Sequence, residues 1–199
     1  MPSIQSTSGT RRIALPTGNV TLLNAGTATA GQILAVQWNS PGTWMRLRAL
    51  EVEFILTTAF TAAQEVGCDV TIANPFSIAA TGGTAHGAVA AGLYMGGRAR
   101  STSPNSLFSF AGDIRIATTA DVTAGTHTLD AKPVARTSAW MAAIGAGLYQ
   151  RFDFTAMELG GLIFDSLQGF VVRNSILMGA VGVGRWTITP EWDEVVLAP

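Results

Sequence analysis

Lysine is almost missing from this chain: of twelve basic residues in 199, Lys132 is the one lysine and the others are arginine. Charge of either sign is scarce as well, at 13% of residues against about 25% in an ordinary globular protein. Twelve bases and thirteen acids leave a net charge of -1, so no long-range field steers the protein to nucleic acid or to an anionic membrane. Cys68 is the single cysteine, which excludes a disulfide framework and a thiolate metal site and fits a small buried thiol. Histidine occurs only at His86 and His127, each within a Gly/Thr-rich turn. No Gly-x-Ser-x-Gly elbow accompanies them, no clustered ligands suit zinc or calcium, and neither the dinucleotide nor the Walker glycine pattern occurs. The expectation is therefore no enzyme, no cofactor and no metal. Long apolar runs are missing too. The longest uncharged stretch that is also rather apolar, Val70 to Gly97, is broken by Asn74, Pro75, His86 and many Gly and Thr, so no membrane span is expected. The opening MPSIQSTSGTRR has no apolar segment behind its basic pair, which predicts that the protein stays where it is made.

What is present points to one well-buried domain. Hydrophobic residues make up 48% of the chain, which excludes disorder, and the length suits a single all-β unit. So little charge implies that part of the surface does not face water in the working state, as in an assembly subunit. The preference for Arg over Lys agrees, because interfaces enrich the first and deplete the second. A GC-rich genome, which exchanges Lys for Arg throughout, explains the same bias.

Short alternating runs separated by Gly, Pro, Asn and Ser recur from residue 32 onward with almost no helical period. The fold class expected is all-β: an antiparallel β-sandwich of jelly-roll type with an extended N-terminal arm. Residues 1–19, rich in Ser, Thr and Gly, form that arm, expected to dock on a neighbouring subunit or the shell with Arg11 and Arg12 pairing with carboxylates there, and residues 20–199 form the sandwich. Strands are predicted at Gln32–Trp38, Trp44–Leu56, Gly67–Ala73, Asp113–Thr118 and Val134–Ala142. In the second of these the apolar phase flips at Ala49–Leu50, which predicts a β-bulge in a bent strand of the kind that passes between sheets. Asn74 to Gly97 reads as a long Gly/Ala-rich loop. Gly169–Met178 and Val183–Val195 read as a hairpin closed by Gly179–Gly182, with Pro190 marking an edge or a bulge. Phe170, Val172, Ile176, Trp186, Ile188 and Trp192 are its expected core residues.

The few charges are unevenly placed. Arg11, Arg12, Arg46 and Arg48 occur in the first fifty residues without any acid, while Glu191, Asp193 and Glu194 close the chain without any base. These seven are the candidate interface residues, either in a head-to-tail contact between copies or, within one subunit, paired with one another or simply solvated. Trp38, Trp44, Trp140, Trp186 and Trp192 raise a second reading, stacking on sugar rings. A sugar-binding module exposes two aromatics side by side with carboxylates, whereas a structural protein buries them.

Three segments carry a family resemblance. They are Arg98-Ala-Arg-Ser-Thr-Ser-Pro104, Asp113-Ile-Arg-Ile-Ala-Thr-Thr119 running on through Thr123-Ala-Gly-Thr-His-Thr-Leu-Asp130 to Pro133, and Gln168-Gly-Phe-Val-Val-Arg-Asn174 through Met178-Gly-Ala180 to Glu191-Trp-Asp-Glu194. Over about residues 98–195 the chain resembles a family of small structural proteins encoded in the head-gene regions of tailed bacteriophages. The resemblance implies a virion protein, most simply a capsid decoration or cement protein on the capsid surface. Its implied partners are further copies of itself, as a homotrimer, and the major capsid protein. The alternative within that setting is a receptor- or glycan-binding module of a head fibre or tail.

Overall fold

The structure, a computed structural model, describes residues 4–6, 10–17, 20–21, 31–39, 41–78, 80–85, 114–118, 122–123, 125–176 and 182–197. In chain order the strands are β1 (Ile4–Ser6), β2 (Arg11–Arg12), β3 (Leu15–Pro16), β4 (Val20–Thr21), β5 (Gln32–Trp38), β6 (Thr43–Thr58), β7 (Gln64–Ile78), β8 (Thr81–Gly82), β9 (Thr84–Ala85), β10 (Ile114–Ile116), β11 (Val122–Thr123), β12 (Thr126–Leu129), β13 (Ala135–Met141), β14 (Gly147–Asp153), β15 (Leu162–Phe164), β16 (Gln168–Asn174) and β17 (Val183–Leu197). All pair antiparallel, in two sheets that face each other.

Several short strands are pieces of one. As the chain advances through β1, β2, β3 and β4, its partner on β17 retreats from Leu197 to Val183, so the four form one interrupted strand. In the same way β14 and β15 continue one another along β6, and β12 and β13 along β7. The first sheet then reads β1–β4, β17, β6, β14–β15. The second reads β12–β13, β7, β16, β5, with β8 to β11 added beyond β5.

One hydrophobic cluster lies between the sheets. Phe164 of the first sheet meets Phe170 of the second with ring centroids 5.8 Å apart. Met45, Pro190 and Trp192 from the first pack against Val36, Ile114 and Phe170 from the second. The second sheet is covered on both faces. Leu34, Val36, Val70 and Val172 are buried on one, and Ala35, Thr71, Ala73 and Val171 on the other. Double-sided burial explains why Gln32–Trp38 shows continuous hydrophobicity instead of alternation.

The predicted strand at Trp44–Leu56 is β6, and burial changes phase at Ala49–Leu50 as its pattern implied. The bulge sits one residue earlier. Trp192 pairs with Leu47 and Glu191 with Ala49, leaving Arg48 as the extra residue. The strand does not pass between sheets. It stays in the first, because β17 on one side and β14–β15 on the other occupy its whole length.

Three expectations need correction. Gly169–Met178 and Val183–Val195 are not a hairpin: β16 lies between β5 and β7 in the second sheet, while β17 lies beside β6 in the first. Both strands have an apolar face fit for the core, and alternation does not say from which sheet that face enters. Gly179–Val181 lie outside the described residues. Ile176, just beyond β16, is only half-buried, whereas Phe170, Val172, Trp186, Ile188 and Trp192 are in the core. Asn74–Ile78 is not loop but the end of β7, and β8 and β9 follow it. His86, Arg98–Pro104 and Asp113 lie outside the described residues.

Pro190 sits inside β17, a central strand. Trp186 exchanges backbone contacts with the N-terminal strand through Thr17, so Ile188 and Pro190, at the same parity, face that strand too. Pro190 falls opposite the gap between β2 and β3, beside the bulge at Glu191/Trp192, where its missing N–H deprives no ladder partner.

Trp186 packs against Phe54 with centroids 4.8 Å apart and is fully buried. Trp186→Ala is expected to cost roughly 3–5 kcal/mol, the range for large buried aromatics. Equilibrium urea unfolding checks it.

Candidate functional site

The seven candidate interface residues lie on or beside the first sheet, and the structure pairs them within one chain wherever it describes their side chains. The bulge brings Arg46 and Arg48 to the same carboxylate. Arg46 donates to Asp193 Oδ2 from Nη2 at 2.6 Å and from Nε at 3.2 Å, and Arg48 Nη1 lies 3.4 Å from the same oxygen. Arg46 Nη1 also donates to the carbonyl of Leu159, tying β17 to the 3-10 turn Glu158–Gly160. Gly161 makes that approach feasible, since a Cβ there would sit 2.6 Å from the Leu47 carbonyl oxygen and 2.8 Å from Arg46 Cγ. Asp193 is buried, so this is a desolvated pair and not a solvent-facing one.

Higher on the sheet a second network crosses all four lanes. Glu51 on β6 accepts from Arg12 on β2 and from Arg151 Nη1 on β14 at 2.6 Å, while Arg151 Nη2 reaches Glu191 on β17 at 3.1 Å. These hydrogen bonds, to Glu51 first and then to Glu191, hold the Arg151 guanidinium above its ordinary range. Arg11 pairs with Trp192 through its backbone, and its side chain lies outside the described residues. Glu194 belongs to neither network. It points into the buried layer, where it accepts from Trp192 Nε1 at 3.3 Å.

The expected arm is therefore extended, but it docks on its own subunit as the edge of the first sheet. Leu15 and Thr17 are buried, and the Thr17 hydroxyl bonds both the N–H and the carbonyl of Trp186. Of the two readings of the segregated charges, pairing within one subunit is the one observed. Glu51 and Arg151 lie between the segregated charges of the two chain ends. The alternation of Leu148, Gln150 and Phe152 with Tyr149, Arg151 and Asp153 was the available signal.

The second sheet carries one comparable contact, Arg136 to buried Asp69 at 2.7 and 3.3 Å. Cys68 is fully buried, and burial, with the Asp69 charge added, drives its thiol far up, which removes it as a nucleophile at neutral pH. His127 is half-buried against Phe76, with centroids 4.6 Å apart, and its Nε2 lies 3.4 Å from Gln32 Nε2. Burial lowers its pKa. No nucleophile stands beside it among the described residues. Nor do the described residues hold a group of three or more His, Cys, Asp or Glu fit for a metal ion, or a helix long and apolar enough to cross a membrane.

The aromatics divide unevenly. Trp38, Trp186 and Trp192 are buried and Trp44 is half-buried, but Trp140 on β13 is exposed opposite Glu65, and Tyr149 on β14 is exposed opposite Glu53. These two lie on edge strands of different sheets, so they do not form a side-by-side platform.

Asp193→Ala is expected to destabilise the fold by about 3 kcal/mol, because it leaves Arg46 largely desolvated without its partner; the shift of the denaturation midpoint measures it. His127 titrates lower folded than unfolded, so below its unperturbed value of 6.5 the unfolded chain binds more protons and stability falls as pH falls. In His127→Gln that fraction of the pH dependence disappears, as melting curves between pH 5 and 8 will show.

Compared with models of known protein families the chain matches none, and no curated protein matches it.

Proposed function

We propose that this chain is a non-enzymatic structural subunit of a bacteriophage virion, a capsid decoration protein that binds the major capsid protein on the particle surface as a homotrimer. The observation that carries the reading is the distribution of charge. The described ion pairs are spent inside one subunit, stapling the lanes of the first sheet and the edge of the second. Among the described residues, the connection from β6 to β7 and that from β13 to β14 are left without charge, with Trp140 and Tyr149 exposed beside them. Such a surface fits an assembly better than bulk water.

Two further points support it. The bacteriophage resemblance covers β16 and β17, two of the strands on which the sheets are built. The wiring we assign is a jelly roll. If the interrupted strands count as one each and the short β8 to β11 are set aside, eight strands pair first with eighth, second with seventh, third with sixth and fourth with fifth, which is one long hairpin rolled into two sheets. Jelly rolls serve many viral shells.

The alternative, a glycan-binding module, has in its favour the single exposed indole of Trp140 opposite Glu65. The separation of Trp140 from Tyr149 speaks against it. Purified protein mixed with particles lacking it is expected to co-sediment with them at saturable stoichiometry. Absence of co-sedimentation, with binding to immobilised glycans in its place, overturns the structural role.

A further inference from the structure

Two loops build the uncharged end. From Phe54 to Gln64, between Glu53 and Glu65, and from Thr137 to Gln150, between Arg136 and Arg151, there is no charged residue. The fold brings these stretches together: Gly145 N–H donates to the Leu56 carbonyl at 2.9 Å, Leu56 N–H to the Ala146 carbonyl at 2.9 Å, and Phe60 N–H to the Ala142 carbonyl at 3.3 Å. Thr58, Thr61, Ala62, Ala63, Ala142 and Ala143 are exposed there. Ile144, at the tip, is 68% exposed, and Trp140 and Tyr149 on either side are 73% and 63% exposed. Turns of this kind are ordinarily polar, and this one presents a large aliphatic side chain between two aromatic ones. Around it the rim carries both signs: Glu53 and Arg185 on the first sheet and Glu65 on the second, where Arg136 is held by Asp69.

We propose that this end is where copies of the chain meet one another about a rotation axis. The proposal rests on the reading of the chain as an assembly subunit and adds the face and its occupant. Near a rotation axis every residue meets its own copy, so a charge there meets an equal charge and repels it. An uncharged patch escapes this constraint. A little off the axis, unlike residues meet, and a rim bearing acid and base together lets the Glu of one copy face the Arg of the next. A neutral centre with aromatic anchors and a two-signed rim is the anatomy of a self-associating interface. An anionic lipid surface fits less well, because Glu53 and Glu65 flank the exposed aromatics. The opposite end of β6 also exposes large apolar side chains, Met157 and Leu159, but there Arg46, Arg48 and Asp193 concentrate charge.

Sedimentation equilibrium of the full chain tests the proposal. The natural protein is expected to be oligomeric at micromolar concentration, and Ile144→Glu, at an exposed tip, to fold normally and dissociate at least tenfold more readily. Ile144→Cys, oxidised with diamide, is expected to give a reducible species of twice the chain mass, because a residue near an axis meets itself. Cys68 is buried and silent. Leu159→Cys at the charged end gives no such species. If the natural protein is oligomeric but Ile144→Glu leaves its mass unchanged and Ile144→Cys does not cross-link, the face is wrong while the subunit role stands. If the natural protein is a monomer that still co-sediments with particles, self-association fails and decoration survives. If it neither associates nor co-sediments, both fail. Vesicle binding that is lost in Ile144→Glu, with no change of mass, overturns the proposal in favour of a lipid surface.

Discussion

The pairing of β6 with β17 is the contact on which the rest of the molecule depends. It runs without a break from Val183–Thr58 to Val196–Thr43, apart from its two register shifts. Every other strand of the first sheet is laid on one of these two: the N-terminal strand on β17, and β14–β15 on β6. Their inward residues, Leu47, Leu50, Val52, Phe54, Trp186, Ile188 and Trp192, form one half of the core. The extra residue at Arg48 lets an apolar run that changes phase keep its side chains on the core face along the whole strand. It also places two consecutive outward arginines over Asp193.

That placement accounts for how few charges the protein needs. Exposed ion pairs contribute little, but a buried carboxylate between two guanidiniums is costly to break. Here such a pair ties β17 to β6 and to the turn before β15. The Arg12–Glu51–Arg151–Glu191 row then holds all four lanes in register, so the charged residues act across strands and not along them. With charge gathered on that face and at that end, the far end is free to be neutral. The same distribution that staples the sheet thus leaves the stretches Phe54–Gln64 and Thr137–Gln150 without charge.

Much of this was legible in the sequence. Alternation located β6, β7, β13 and the core of β17, and a continuous apolar run located β5, because a strand with one wet face must alternate and a strand buried on both faces must be apolar throughout. The phase flip at Ala49–Leu50 announced the bulge. Pro190 announced an interruption in the ladder. Each of these properties is local, set within a few residues by backbone geometry and solvation.

Partnership is not local, and there the tertiary structure decided. Period-two alternation says that a strand has an inside but not which sheet supplies it, so β16 and β17 read as a hairpin although they belong to opposite sheets. The polar N-terminal segment read as an arm for a neighbour; its place along β17 follows from the open edge of that strand and from Leu15 and Thr17, which only the folded sheet can receive. Whether Arg46 and Arg48 faced another subunit or Asp193 depended on a register between residues 145 and more positions apart. The uncharged end existed in the sequence as two separate stretches. Only the contacts of Leu56 with Gly145 and Ala146, and of Phe60 with Ala142, made them one surface. Composition and period determined what each segment is; long-range pairing, which no segment encodes alone, determined what it touches.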